Sequence, residues 1–231
     1  MPSLARRERV PELMDDPALD PAEHRRALAG LARLNRVSDS PGVLWPAVRE
    51  LARGGPLRVL DVATGSGDVP RALAAKAVRA GLPVEVAGCD ISATAIDAAK
   101  QAAPGLTFFV HDVLRDPLPA GFDVVTCSLF LHHLSDDDAV TLLRRIAAAA
   151  GRRVLVNDLA RSRFNYVSVW AASRLLTRSA VVRFDGPASV RSAFTAAEAA
   201  GLAARAGLTG AAVRGRFPCR FLLQWERTTP A

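Results

Sequence analysis

Between residues 57 and 160, short apolar runs alternate with longer stretches of helical spacing. Leu57 to Leu60, Val84 to Asp90, Thr107 to Val110 and Arg153 to Asp158 read as strands, and Phe122 to Leu134 as a strand with the loop after it. Helices are predicted between them near 69–80, 93–103 and 136–150. Such alternation predicts an α/β fold with a parallel sheet and helices on both faces. Two further strands are expected at 209–214 and 219–226.

The flanks are patterned differently. Residues 1–20 are rich in Pro, Asp and Arg and read as irregular. Asp20-Pro21-Ala22-Glu23 has the form of a helix start, with Asp20 as N-cap and Pro21 in the first position. Ala27, Leu28, Leu31 and Leu34 follow at helical spacing. Ser40-Pro41-Gly42 is expected to break that helix, and Val43 to Ala52 to restart one. In residues 160–191, Phe164, Val167, Trp170, Ala171 and Leu175 mark one apolar face, with Arg163, Arg174 and Arg178 toward its flanks. This segment follows the carboxyl end of a strand, where open α/β sheets bind ligands, so it reads as a cap over a substrate. A core helix and an arginine-flanked helix in peripheral contact with a membrane surface are the competing readings. Thr195-Ala196-Ala197-Glu198 is a capping box that opens a helix to about Arg205. The expectation is a single domain: a helical lid at 1–55, a core at 56–160, a cap insertion at 160–191, and a helix with a hairpin at 192–231.

Val59-Leu60-Asp61-Val62-Ala63-Thr64-Gly65-Ser66-Gly67-Asp68 is the most informative stretch. It reads as a strand, a tight turn and a helix start, with Asp68 capping that helix. Glycine admits positive φ there, and the open helix amides favour a polar or anionic ligand group. A dinucleotide fingerprint would place a third glycine at position 70, where Pro70 stands, which argues against an NAD oxidoreductase. An acid before the glycines suits a ligand that carries an amine. The pattern resembles the first signature of class I S-adenosylmethionine (SAM) methyltransferases, with Ala63 where that family often has glycine. Three more landmarks follow in the family's order. Cys89-Asp90 ends the second strand, His111-Asp112 follows the third, and the segment 122–134 resembles the fourth motif, beside the transferable methyl.

The resemblance implies a Rossmann-like, doubly wound, seven-stranded sheet. That sheet is mostly parallel, closed by an antiparallel C-terminal hairpin, with helical lids at the N-terminus and after the fifth strand. It implies SAM as cofactor, S-adenosylhomocysteine (SAH) as product, and no metal. Asp61, Ala63, Gly65 and Gly67 would hold the amino-acid end, Asp90 and Ile91 the ribose, and Asp112 and Val113 the adenine, with Ser128 near the methyl. Separately from the resemblance, Asn35 and Arg36 could reach the SAM carboxylate if the N-terminal helices fold over the cofactor, where arginine can grip it with two donors; a solvated helix end is the competing reading.

Methyl transfer from a sulfonium is an in-line displacement, so the protein must align the acceptor and exclude water. A phenolic acceptor benefits from a base near neutral pKa, and histidine is the usual choice. His132 and His133 follow the fourth strand; neighbouring residues of an extended segment point opposite ways, so one of the two is expected to face the acceptor. Packing against the next helix is their competing role. Asp158 ends the fifth strand, placed to orient a histidine, bind an acceptor hydroxyl or cap a turn. His24 is a rival base if the N-terminal helix closes over the site. Leu13 to Asp20 and Arg183 to Pro187 resemble, less specifically, bacterial methyltransferases that tailor phenolic lipids and aromatic polyketides, and the core resembles those of quinone biosynthesis; the expected activity is O-methylation of a hydrophobic phenolic or enolic small molecule. C-methylation of a quinone-type ring and a non-catalytic SAM-binding scaffold are the alternatives.

Bulk properties change this picture little. The 231 residues fit one domain with a lid. The net charge of +7 comes from arginines, since lysine occurs only at Lys76 and Lys100. They are scattered without interleaved aromatics, which argues against nucleic acid as a partner. Cys89, Cys127 and Cys219 are odd in number and show no metal-binding spacing. No apolar run approaches the ~18–20 residues of a membrane span, and the first residues lack an apolar signal core. A reducing cytoplasm is the expected location.

Overall fold

In the computed structural model, which describes residues 3–15, 18–20, 22–23, 26–27, 30 and 39–227, the strands are β1 Leu57–Val62, β2 Val84–Asp90, β3 Thr107–Val110, β4 Phe122–Ser128, β5 Ala150–Leu159, β6 Ala212–Arg216 and β7 Arg220–Glu226. They form one sheet in the order β3-β2-β1-β4-β5-β7-β6. The first five are parallel, and β7 runs antiparallel to both β5 and β6. The strand order reverses between β1 and β4. Their carboxyl ends therefore open a crevice at the switch point where doubly wound sheets bind ligands.

The helices are α1 Ser40–Ala52, α2 Asp68–Ala80, α3 Ala93–Ala102, α4 Asp136–Ala149, α5 Arg163–Leu176, α6 Ala180–Ser192 and α7 Ala196–Arg205. Alternating strand residues feed two cores. Val59, Val124, Leu155 and Leu222 pack with Leu44 and Val48 of α1 and Leu73 of α2. Leu60, Val125, Val154 and Phe221 pack on the other face with Leu143 and Ile146 of α4 and Leu202 of α7. The expected capping box at Thr195 and Glu198 is present, and the C-terminal hairpin forms, its first strand beginning three residues later than predicted and its second one residue later.

The helix expected from Val43 to Ala52 is present as α1 and begins slightly earlier, at Ser40. Asp39 caps it, accepting from the Gly42 amide at 2.9 Å. Proline sits in the first turn, where its missing N–H costs nothing. Residues 160–191 fold largely into two helices, α5 and α6. The apolar face of α5 points outward, with Phe164 68% and Leu175 83% exposed, so α5 is no core helix. Its buried positions are Asn165 and Ser173. In the N-terminal helix, Asp20 accepts from the amides of Ala22 and Glu23, as a cap would. His24, Leu28, Leu31, Leu34, Asn35 and Arg36 lie outside the described residues.

Candidate active site

The turn after β1 is tightly wound. Ala63 has φ of 54°, Gly65 of 55° and Gly67 of 79°, so all three are left-handed. Only Ala63 carries a Cβ, which explains why a glycine is easier at that point. Asp61 is buried beneath the turn. Its carboxylate accepts from the Thr64 hydroxyl at 2.8 Å and the Thr126 hydroxyl at 2.6 Å. Burial pushes its pKa up to about 7, against the pull of the two hydroxyl bonds. A cationic group brought near would favour its ionised form.

A cavity opens over these strand ends. It is lined by Ala63, Gly65, Asp90, Ile91, His111, Asp112, Val113, Leu114, Leu129 and Phe130. Six of the residues that the sequence singled out for a cofactor thus meet around one space. Asp90 Oδ2 accepts from the Gly65 amide at 2.8 Å and Oδ1 from the Ser92 amide at 2.9 Å. A carboxylate has about four lone-pair sites, so two remain for a ligand's hydroxyls. Asp112 Oδ1 accepts from the Leu114 amide at 2.9 Å. Gly67 stands away from this lining. A Cβ there would come within 3.0 Å of Phe108 and Ala99, so the glycine lets α2 pack close to the sheet. Ser128 is also outside the lining. It pairs in register with Asn157, and the polar side-chain atoms of both are buried without a hydrogen-bond partner.

The loop after β4 turns at Leu129, with φ of 56°, into a short 3-10 turn, Leu131–His133. His132 points inward and is 4% exposed. Its Nδ1 lies 2.6 Å from Asp158 Oδ1, and its amide donates to Asp158 Oδ2 at 3.1 Å. Its Nε2 lies 3.7 Å from Glu12 Oε1. Burial alone would lower the imidazole pKa, but the two carboxylates outweigh it and lift it to about 9. The same pairing holds Asp158 below its ordinary value. His132 is therefore an imidazolium between two acids at neutral pH. His133 is half-buried, its ring 4.3 Å from that of His132 and 6.3 Å from that of Phe130. Both histidines line a second cavity of about 440 Å³ with Arg9, Val10, Pro11, Glu12 and Ser192. Glu12, His132 and His133 bring one donor atom each within 4.8 Å of one another, a donor set that could hold a cation.

Beside this second cavity the N-terminal segment is held by contacts that the sequence reading did not assign. Arg7 donates through Nε to the Ser192 carbonyl at 2.6 Å and through one terminal nitrogen to the carbonyls of His132 and Leu134, at 2.9 and 2.6 Å. Its guanidinium lies 3.7 Å above the Phe194 ring. The Asp185 carboxylate accepts from the amides of Leu13 and Met14 at 2.7 and 3.1 Å. Glu12 is held by the Ser189 hydroxyl. Leu13–Asp15 and Asp185-Gly186-Pro187, far apart in sequence, thus meet and fasten the N-terminal segment across the His132 loop.

Residues 59–152 match a methyltransferase domain family. The chain is 35% identical over 116 residues to demethylmenaquinone methyltransferase of Deinococcus radiodurans, covering 48% of this chain and 46% of that one. It is 38% identical over 119 residues to aclacinomycin 10-hydroxylase RdmB of Streptomyces purpurascens, covering 50% and 29%. These curated relatives are matched over less than half of their length. Among solved structures, the plantazolicin methyltransferase BpumL, in complex with a desmethylPZN analog and SAH, superposes with a TM-score of 0.70. At 13% identity, over 90% of this chain and 91% of that one, this is a likeness of fold.

Proposed function

We propose that the protein is a SAM-dependent methyltransferase that transfers a methyl group to the oxygen of a hydrophobic phenolic or enolic small molecule, a reading supported by the match of residues 59–152 to a methyltransferase domain. The observation that carries this reading is the segment 129–133. Leu129 and Phe130 line the cavity beneath Asp90 and Asp112, and His132 and His133 line the second cavity beside it. A methyl donor in the first and an acceptor in the second would meet at this loop. When bound, SAM supplies a methyl group on a sulfonium, activated for in-line displacement.

In this reading Asp90 accepts the ribose hydroxyls through its free lone pairs, and Asp112 accepts from the adenine amine. Asp61 is the counter-charge below the amino-acid end, and Arg36 pairs with the carboxylate. His133 takes the acceptor proton or holds the acceptor oxygen. His132 is already protonated near neutral pH, so it is a positioning residue. Its pairing with Asp158 and Glu12 fixes the loop and sets a positive charge beside His133. That charge stabilises the phenolate that must form before transfer.

A second reading, C-methylation of a quinol ring, is favoured by the likeness to demethylmenaquinone methyltransferase. Incubation with SAM bearing a deuterated methyl, and with a panel of alkylresorcinols, naphthols and naphthoquinols, separates the two. The expected product carries the label on oxygen. A label on ring carbon would replace the first reading by the second. Tight SAH binding without label in any acceptor would favour a scaffold.

A further inference from the structure

From Leu159 to Phe184 there is no acidic residue, while arginine stands at 161, 163, 174, 178 and 183. Arg161 is consumed internally, its buried guanidinium paired with Glu198 at the surface. Arg163, Arg174 and Arg178 are exposed. On the same helix, α5, Phe164 (68% exposed), Val167 (43%) and Leu175 (83%) fall at helical spacing on one stripe, with Ala171 between them. The opposite side of α5 is occupied. The backbone of Gly186 in α6 lies against Val169 and Ser173, and Ser173 is wholly buried. Trp170, 44% exposed, edges the stripe under the Arg174 guanidinium, 4.0 Å from its ring centre. A helix of a globular protein ordinarily turns its apolar stripe to the core, whereas α5 turns its polar side inward and its apolar side out.

We propose that the outer face of α5 is a docking surface for an anionic lipid bilayer. The stripe would sit at the headgroup–acyl boundary, with Trp170 at the interface and the arginines on lipid phosphates. Charge selects this occupant. A second copy of the chain, packed face to face on α5, would oppose Arg163, Arg174 and Arg178 with the same residues of its partner, and no acid within 159–184 offsets them. A bilayer supplies both the apolar layer and the negative charge. The surface also adjoins the carboxyl end of β5, so docking would bring the candidate site to a membrane from which a hydrophobic acceptor can be drawn.

The test is co-sedimentation of the full chain with vesicles of equal parts phosphatidylcholine and phosphatidylglycerol, and with vesicles of phosphatidylcholine alone. The wild type should partition to the anionic vesicles, less so as salt is raised. Phe164→Ser with Leu175→Ser should lower that partition by about tenfold or more, through loss of apolar area at the interface. Arg163→Gln with Arg178→Gln should lower it on anionic vesicles by about tenfold and leave the neutral ones unchanged. Leu175→Ser alone, at a fully exposed position, should act in the same direction with an unchanged melting temperature. Absence of binding to anionic vesicles at low salt overturns the proposal, as does equal partition of the wild type and all variants. Concentration-dependent self-association that Phe164→Ser with Leu175→Ser abolishes, with no vesicle binding, overturns it in favour of a dimer.

Discussion

His132 and His133 are adjacent in sequence and border the same cavity, and His132 is in addition paired with the buried Asp158. The His132 pKa is raised from 6.5 to about 9, so its ion pair contributes stability that is complete below about 6.5 and lost as pH rises through 9. Urea unfolding of the wild type and His132→Gln on either side of that window should show a stability gap that closes at the alkaline end. The Asp158 half has the opposite sign. Its pKa is depressed, so its contribution disappears only as pH falls toward and below the ordinary carboxylate range. His133→Asn should instead lower kcat by about 10²–10⁴-fold, the usual span of general-base catalysis, and leave SAH affinity nearly intact. The loss should shrink at high pH, where a phenol ionises unaided. Near-wild-type turnover in the His133→Asn variant across the pH range would reduce both histidines to packing and alignment. Asp90→Ala removes a charged acceptor whose bonds are worth about 1.5–3 kcal/mol each. SAH affinity should fall at least tenfold with the melting temperature held, as read by titration calorimetry and a thermal melt.

Elements whose boundaries depend on local chemistry were legible from sequence. α2, α3 and α4 follow their periodicity, and α4 begins at its Ser135 cap. Elements that depend on distant partners were not. α6 carries Asp185-Gly186-Pro187, a sequence that argues against a helix interior, yet it stays helical. Its Asp185 is engaged by Leu13 and Met14, some 170 residues away. The break between α5 and α6 falls at Thr177-Arg178-Ser179, where no glycine or proline announces it, and Ser179 caps the second helix. The N-terminal segment is thus a strap whose fastening lies on α6. Asp185→Ala should free the amides of Leu13 and Met14. Hydrogen exchange at those two residues should quicken by about tenfold or more, given charge-assisted bonds of about 1.5–3 kcal/mol. Unchanged exchange would mean that Arg7 and Glu12 hold the strap without Asp185.

Over the whole molecule, the sheet gathers what the sequence scatters. The acids at 61, 90, 112 and 158 could be picked out because each stands at or just after the end of a strand, and parallel strands bring such ends to one edge. Glu12 and Arg7 belong to no strand, and their contacts with the His132 loop span more than a hundred residues, so no local pattern marks them. The outward apolar face of α5 was visible as a stripe, but its direction depended on which side α6 covered. The matched domain, the fold and the cavity lining converge on one claim, that the space between Asp90 and Asp112 receives SAM and its product. Calorimetric titration of the full chain with SAH, and separately with NAD, tests it directly. The account predicts saturable binding of SAH at micromolar concentrations and none of NAD. No heat with SAH, together with binding of NAD, would contradict it.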